Sequence, residues 1–376
     1  MYTGVRKDAL PDGSIRERQT QCLAVGDGVE YEKYDGNPVI TAADLPEGGS
    51  EHDFRDPKIW REGDGFRVVA GNRCPDGSGA VLLYESADAR HWDRRCVLAA
   101  SGNRHGRMWE CPDFFRLDGK DVLLVSPQEM RAEGLEFIEG NVTLCLIGSY
   151  TGGADGLSRE HTQTIDYGLD FYAPQTVQAA DGRRIMIGWM QYWNSVDWHP
   201  DGLPFFGQMT VPRELRIRDG RLIQTPVREL EACRGEAVRY ENVPVTGHSE
   251  LPGVQGRCLD MTVTVRTERV FELSVACGGG YETTIRYDRQ KSTITVDRTQ
   301  SGFPADILNV RTFAVREMGG ALKLRVLLDT YSLELFINDG EQAASFTLYT
   351  PPEADAIRFR AEGTTTADIE KYSLEF

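Results

Sequence analysis

Short apolar runs broken by turn residues make up most of this chain. Gly65–Gly71, Ala80–Tyr84, Asp121–Val125, Val142–Ile147 and Arg184–Trp189 are rich in Val, Ile, Leu and aromatic residues and are bounded by Gly, Asp or Pro. Runs of that length and content predict strands, and almost no stretch carries the 3.6-residue period of an amphipathic helix. Leu215–Leu230 reads as a hairpin turned at Asp219-Gly220. A polar, charged stretch follows at 231–242, and beyond it the alternation of apolar and polar positions is cleaner. Met261–Arg266, Thr293–Val296, Leu322–Leu328 and Leu333–Ile337 alternate as strands with one solvated face do, which predicts a β-sandwich ending in a strand over Asp368–Phe376. The expected division is therefore 1–232 and 243–376.

The first part carries a weak internal echo. Asp27 and Asp88 each precede an aromatic residue by four positions, Tyr31 and Trp92, just past an expected strand. Units recurring at such intervals suit the blades of a β-propeller, although turns opened by aspartate beside aromatics occur in any β protein. The fold class expected is all-β.

Composition narrows the function. In 376 residues, 42 Lys and Arg face 58 Asp and Glu, a formal charge of −16. Such a field repels phosphate backbones and anionic membranes, so neither nucleic acid nor membrane is an expected partner. The 8 cysteines form no Cys-x-x-Cys and the 6 histidines no zinc-type pair, so no metal and no cofactor are expected. Met1–Lys7 has no apolar signal core and no run is long enough to span a bilayer. The reading is a cytoplasmic protein with free thiols.

Three acidic stretches can carry chemistry. In Asp53–Trp60, Arg55 and Asp56 precede Pro57 among aromatics, a grouping able to hold sugar hydroxyls by charge-assisted hydrogen bonds, though a lone Arg-Asp-Pro is more often an ion pair in a surface turn. In Met108–Phe115, Glu110 stands between Trp109 and Cys111 in apolar company; burial favours the neutral form of a carboxyl, as a general acid requires. The alternative is a glutamate on the polar face of a strand. Asp166–Thr176 crowds acids and aromatics, including Asp170 and Tyr172, into a stretch that suits a sugar ring and equally suits a packed loop. Together they describe a carboxylate and aromatic cleft fit for glycoside chemistry.

Taken in order, Arg55-Asp56-Pro57, Trp109-Glu110-Cys111-Pro112-Asp113, Asp170–Gln175, Gly188-Trp189-Met190, Val211–Leu215 and Asp329–Gly340 resemble the successive motifs of glycoside hydrolase family 32, the β-fructofuranosidases. The resemblance implies a five-bladed propeller followed by a sandwich, and a retaining double displacement at fructose C2. It makes Glu110 the acid/base and Asp56 the transition-state stabiliser. It sets Arg55, Trp109, Cys111, Asp170, Tyr172 and Trp189 among the substrate-binding residues.

Two departures stand out. Members of that family open with a Trp-x-Asn-Asp-Pro-Asn-like motif whose Asp is the nucleophile, and no such motif occurs in these 376 residues. The sole Asn-Asp is Asn338-Asp339, and Asn37-Pro38 lacks the acid. Met1–Gly4 instead resembles the strand that follows the first blade. The expectation is a propeller whose first blade is largely absent, completed by a short protein partner that supplies the nucleophile. The alternatives are a catalytically silent fructoside-binding or sensing protein, and a full-length hydrolase with an earlier start. Phe205-Phe206-Gly207, where many relatives carry Trp before Gly, alters the shape of the sugar subsite.

Overall fold

Burial runs unbroken along several strands before residue 150 and alternates along several after residue 258. In Gly65–Arg73 the run Val68-Val69-Ala70 is wholly buried, with Val68 and Ala70 in one apolar cluster and Val69 in another. Successive side chains point to opposite faces, so this sheet is covered on both sides. The computed structural model describes residues 1–191, 193–195, 200, 202, 203, 205–304 and 306–376. They fall into two units: 1–133, 137–164 and 173–175 form the first, and 134–136, 165–172 and 176–376 the second.

The first unit contains two four-stranded antiparallel meanders. One is Phe54–Glu62, Gly65–Arg73, Gly79–Ser86 and Asp93–Ala100; the other is Trp109–Leu117, Lys120–Pro127, Leu144–Ser149 and Ser158–Thr164. Strands that pair in chain order are the make-up of a propeller blade. The two sheets share a core in which Val69, Val81 and Leu83 of the first pack with Phe114, Leu123 and Leu146 of the second. The Lys120 hairpin turns on Asp118-Gly119, both at positive φ (48° and 83°), the conformation that matches strand twist in a two-residue loop. Residues before 54 form two-stranded hairpins, Tyr2–Ala9 with Ile15–Cys22 and Ala24–Gly26 with Tyr31–Lys33. The echo read in the sequence is one turn made twice: Asp27 accepts the N–H groups of Val29 and Glu30, and Asp88 those of Arg90 and His91.

A third meander, Tyr172–Gln178, Arg184–Trp189, Arg213–Arg218 and Arg221–Pro226, precedes the sandwich and lies in the second unit apart from Ala173–Gln175. Among the described residues these are three four-stranded sheets of blade type, fewer than a five-bladed propeller lacking one blade would hold. Asp219-Gly220 makes the expected turn. The polar stretch after it is not a linker. A short 3₁₀ turn, Arg228–Cys233, leads straight into Arg234–Pro244, an eleven-residue strand on the edge of a six-stranded sheet. The two six-stranded sheets run over Arg234–Leu374 and Gly247–Glu362.

Buried charges join the third meander to the sandwich. Arg213, with 0% of its side chain exposed, donates to Asp166 (2.9 Å), Gln224 (3.0 Å), Glu334 (2.7 Å) and Ser345 (2.6 Å). Glu334 also accepts the Val211 N–H at 2.7 Å. A guanidinium in such a place is stable because its fork is filled by carboxylates and neutral acceptors. All eight cysteines are free.

Candidate active site

One local device recurs at three strand starts. Asp56 (φ 60°), Cys111 (φ 49°) and Ala173 (φ 48°) lie in the left-handed region, and each is followed by proline. A non-glycine residue is uncommon there, and proline has no N–H for the ladder. The result is a bulge, visible as a break in register between Arg55 and Lys58 and, opposite Cys111, between Leu124 and Ser126. Bulges bend a strand and redirect its side chains. The device was legible as Asp-Pro, Cys-Pro and Ala-Pro spaced 55 and 62 residues apart.

In the first unit the bulges bring the first two acidic stretches together. Arg55 Nε donates to Glu110 Oε1 at 2.9 Å, and its Nη1 donates to Asp53 Oδ1 at 3.0 Å. Asp56 Oδ2 accepts the Cys111 N–H at 2.9 Å, with the Cys111 thiol at 3.5 Å. The Asp56 N–H donates to Thr3 Oγ1 at 3.0 Å, Thr3 donates to Gln21, and Gln21 donates to the Phe54 carbonyl at 2.8 Å. Gln19 accepts the Phe54 N–H at 2.9 Å, so both glutamines of Ile15–Cys22 hold the start of this strand. Gln175 donates to the Cys111 carbonyl at 3.1 Å, and Lys58 to Asp113 at 2.7 Å. Close backbone approach is part of the design: a Cβ on Gly71 would lie 2.1 Å from the Trp109 carbonyl oxygen, so the strand passes here only as glycine.

The electrostatics follow from this packing. Burial opposes the charge on Arg55, but Glu110 and Asp53 outweigh it and hold the guanidinium above its ordinary value. Burial, then the charges of Asp56 and Glu110, push the Cys111 thiol far up, so it is a neutral donor and not a thiolate nucleophile. The side chains of Arg55 and Glu110 are 18% and 14% exposed, enough for a small solute to reach them. The apolar company of Glu110 in the sequence belongs to other positions: Trp109 and Phe114 turn into the core, and Glu110 itself meets a cation.

Other expected substrate residues lie elsewhere. Trp109 is 0% exposed, its indole donating to the His105 carbonyl at 2.6 Å, and it presents no face to a sugar. In the second unit Asp170 is also 0% exposed and is paired with Arg298, while it accepts the Thr347 N–H at 2.8 Å. Burial pushes its carboxyl upward, opposed first by Arg298. Asp166 is held by Arg213 and Ser345, so the third acidic stretch is packed against the sandwich. Tyr172 is 3% exposed; it and the partly exposed Trp189 meet the ring of Trp193 edge to face, at 5.6 Å and 6.1 Å between centroids. Sequence reasoning missed Thr3, Gln19, Gln21, Lys58, Asp113 and Gln175, whose roles depend on partners far along the chain. Among the described residues no group of three His, Cys, Asp or Glu is placed to hold a metal.

Residues 1–226 match the N-terminal domain of glycosyl hydrolases family 32, and residues 229–375 match its C-terminal domain. The chain belongs to that family. Its family 32 relatives include a sucrose-6-phosphate hydrolase of Escherichia coli, 35% identical over 345 residues, which are 91% of this chain and 69% of the relative. A raffinose invertase of the same organism is 36% identical over 361 residues, 95% of this chain and 72% of the relative. The solved structure of a family 32 β-fructofuranosidase from Bombyx mori aligns with a TM-score of 0.80 at 30% identity, covering 100% of this chain and 76% of that one. No helix among the described residues is long and apolar enough to cross a membrane.

Proposed function

We propose that this chain cleaves β-fructofuranosides of the sucrose type by a retaining mechanism. The observation that carries the reading is the meeting of Arg55-Asp56 with Glu110-Cys111 at the bulged starts of two neighbouring sheets. The hydrolase and invertase names of its relatives support the substrate class. In the first step Glu110 gives its proton to the leaving oxygen while a carboxylate attacks fructose C2; in the second it takes a proton from water, which releases fructose. Asp56, anchored by the Cys111 N–H, offers its carboxylate to ring hydroxyls and to the positive charge that develops at C2. Arg55, next to Asp56 along the chain, bridges Asp53 to Glu110.

The attacking carboxylate is the part these residues do not name. A retaining pair stands about 5–5.5 Å apart across the sugar, and the Trp-x-Asn-Asp-Pro-Asn-like motif, which carries the nucleophile in the family, does not occur in these 376 residues. The proposal assigns it to polypeptide outside the 376 residues, either joined to them or on a separate short chain.

Fructose release from sucrose tests this, with the chain alone, with the Asn-Asp-bearing segment added in trans, and with that segment fused ahead. Activity in either supplemented form, lost by roughly 10²–10⁴-fold in Glu110→Gln, is the expected result. An unchanged rate in Glu110→Gln overturns the acid/base role. Activity of the chain alone overturns the external nucleophile, and fructoside binding without release in any form leaves a binding protein.

A further inference from the structure

The two strands that carry Asp56 and Glu110 belong to different sheets, so no backbone ladder joins them. Beside the shared core, side-chain rungs align them at the site. Three of these share one offset along the chain: Arg55 with Glu110, Asp56 with the Cys111 amide, and Lys58 with Asp113, each 55 residues apart. A constant offset means that the two strand starts run side by side in the same direction.

The rungs differ in what substrate does to them. Under the proposed function the first two are made by the reacting groups, and fructose hydroxyls compete for Arg55 and Asp56 when they bind. The third has the most deeply buried carboxylate. The Asp113 side chain is 1% exposed and that of Lys58 24%, with Nζ 2.7 Å from Oδ2. A carboxylate so buried is stable when a cation answers it, and a pair this close is costly to pull apart. This rung does not depend on the groups that sugar occupies.

We infer that Lys58 and Asp113 are a positioning pair that holds the Asp56 carboxylate on the Cys111 amide, and so keeps stabiliser and acid/base in register through the reaction. The catalytic part of this statement rests on the proposed function; the structural part does not. Lys58 acts through its four-carbon stem, which sets the distance between strands, and Asp113 acts as the fixed point it reaches. Neither needs to touch substrate. Asp113 is already committed inside the sheet start, and Lys58 extends to it from the bulge that also aims Asp56.

The test is amide hydrogen exchange at Cys111 in the full chain, read by NMR in the parent and in Lys58→Met, with Val68–Ala70 as the internal reference for global stability. Loss of the rung predicts that the Cys111 amide exchanges at least about tenfold faster while the reference amides hold their rates. Asp113→Asn, which keeps the shape of the carboxylate, predicts the same local change, and Lys58→Arg restores protection. In the form that releases fructose, Lys58→Met lowers kcat more than it raises KM. Parent-like exchange at Cys111 in both Lys58→Met and Asp113→Asn overturns the inference, as does acceleration that only parallels the reference amides. Failure of every form to release fructose sinks the proposed function and leaves the exchange result to decide the positioning claim by itself.

Discussion

Asp170→Asn separates a buried structural acid from a sugar-binding one. Asp170 and Arg298 are both fully buried; Arg298 also donates to the Thr347 carbonyl (3.1 Å) and hydroxyl (3.0 Å) and lies 3.9 Å over the Phe303 ring. Asparagine keeps the shape and one acceptor but removes the charge that answers the guanidinium. Breaking a buried pair from one side costs about 3–5 kcal/mol, and the retained acceptor argues for the lower end, about 3 kcal/mol. At about 2–4 °C per kcal/mol for a unit of this size, the melting temperature should fall by roughly 6–12 °C. Calorimetry on parent and variant checks it, with KM for sucrose measured, in the form that releases fructose, well below the new transition. A parent-like melting temperature with a raised KM would refute the reasoning and return Asp170 to the substrate.

Two further outcomes concern stability. His105 is 5% exposed against the Phe137 ring, its Nδ1 has no hydrogen-bond partner among the described residues, and burial, then Arg159 and Arg104, holds the imidazole below its ordinary value. Because the folded value is depressed, the unfolded chain binds the proton first. Stability is full above about pH 6.5 and declines as pH falls toward the folded value. Urea midpoints between pH 7 and 5 should therefore drop less in His105→Gln than in the parent, and equal slopes would count against this account. At Gly220 (φ 73°) an added Cβ meets nothing within 4 Å among the described residues, so Gly220→Ala should cost only the left-handed penalty, about 1 kcal/mol by denaturant unfolding, while Asp219→Gly stays within about 0.5 kcal/mol.

The strands were legible because their signals are local. Asp219-Gly220 marks its own turn, and the Val68–Ala70 run announces a strand covered on both faces without knowledge of what covers it. Arg55, Asp56 and Glu110 were found as candidates by the company they keep. The pairings that define them were not, since Glu110 meets Arg55 across 55 positions and Asp170 meets Arg298 across 128. An acid that will face a sugar and an acid that will face a distant arginine look alike in one dimension. The stretch 231–242 misled for a related reason. An edge strand with one wet face has the polar composition of a linker, and only its partner Thr365–Leu374, at the far end of the chain, makes it a strand.

The salt-bridged seam around Arg213 bears on how this polypeptide can be divided. On paper the two family halves part between 226 and 229. A gene cut there would leave Glu334 and Ser345 without their guanidinium, and Arg298 without its carboxylate. A recombinant sandwich would start life with orphaned charges on a freshly wetted flank. Chimaeras between relatives should therefore keep Asp166 and Asp170 with the sandwich rather than join between 226 and 229.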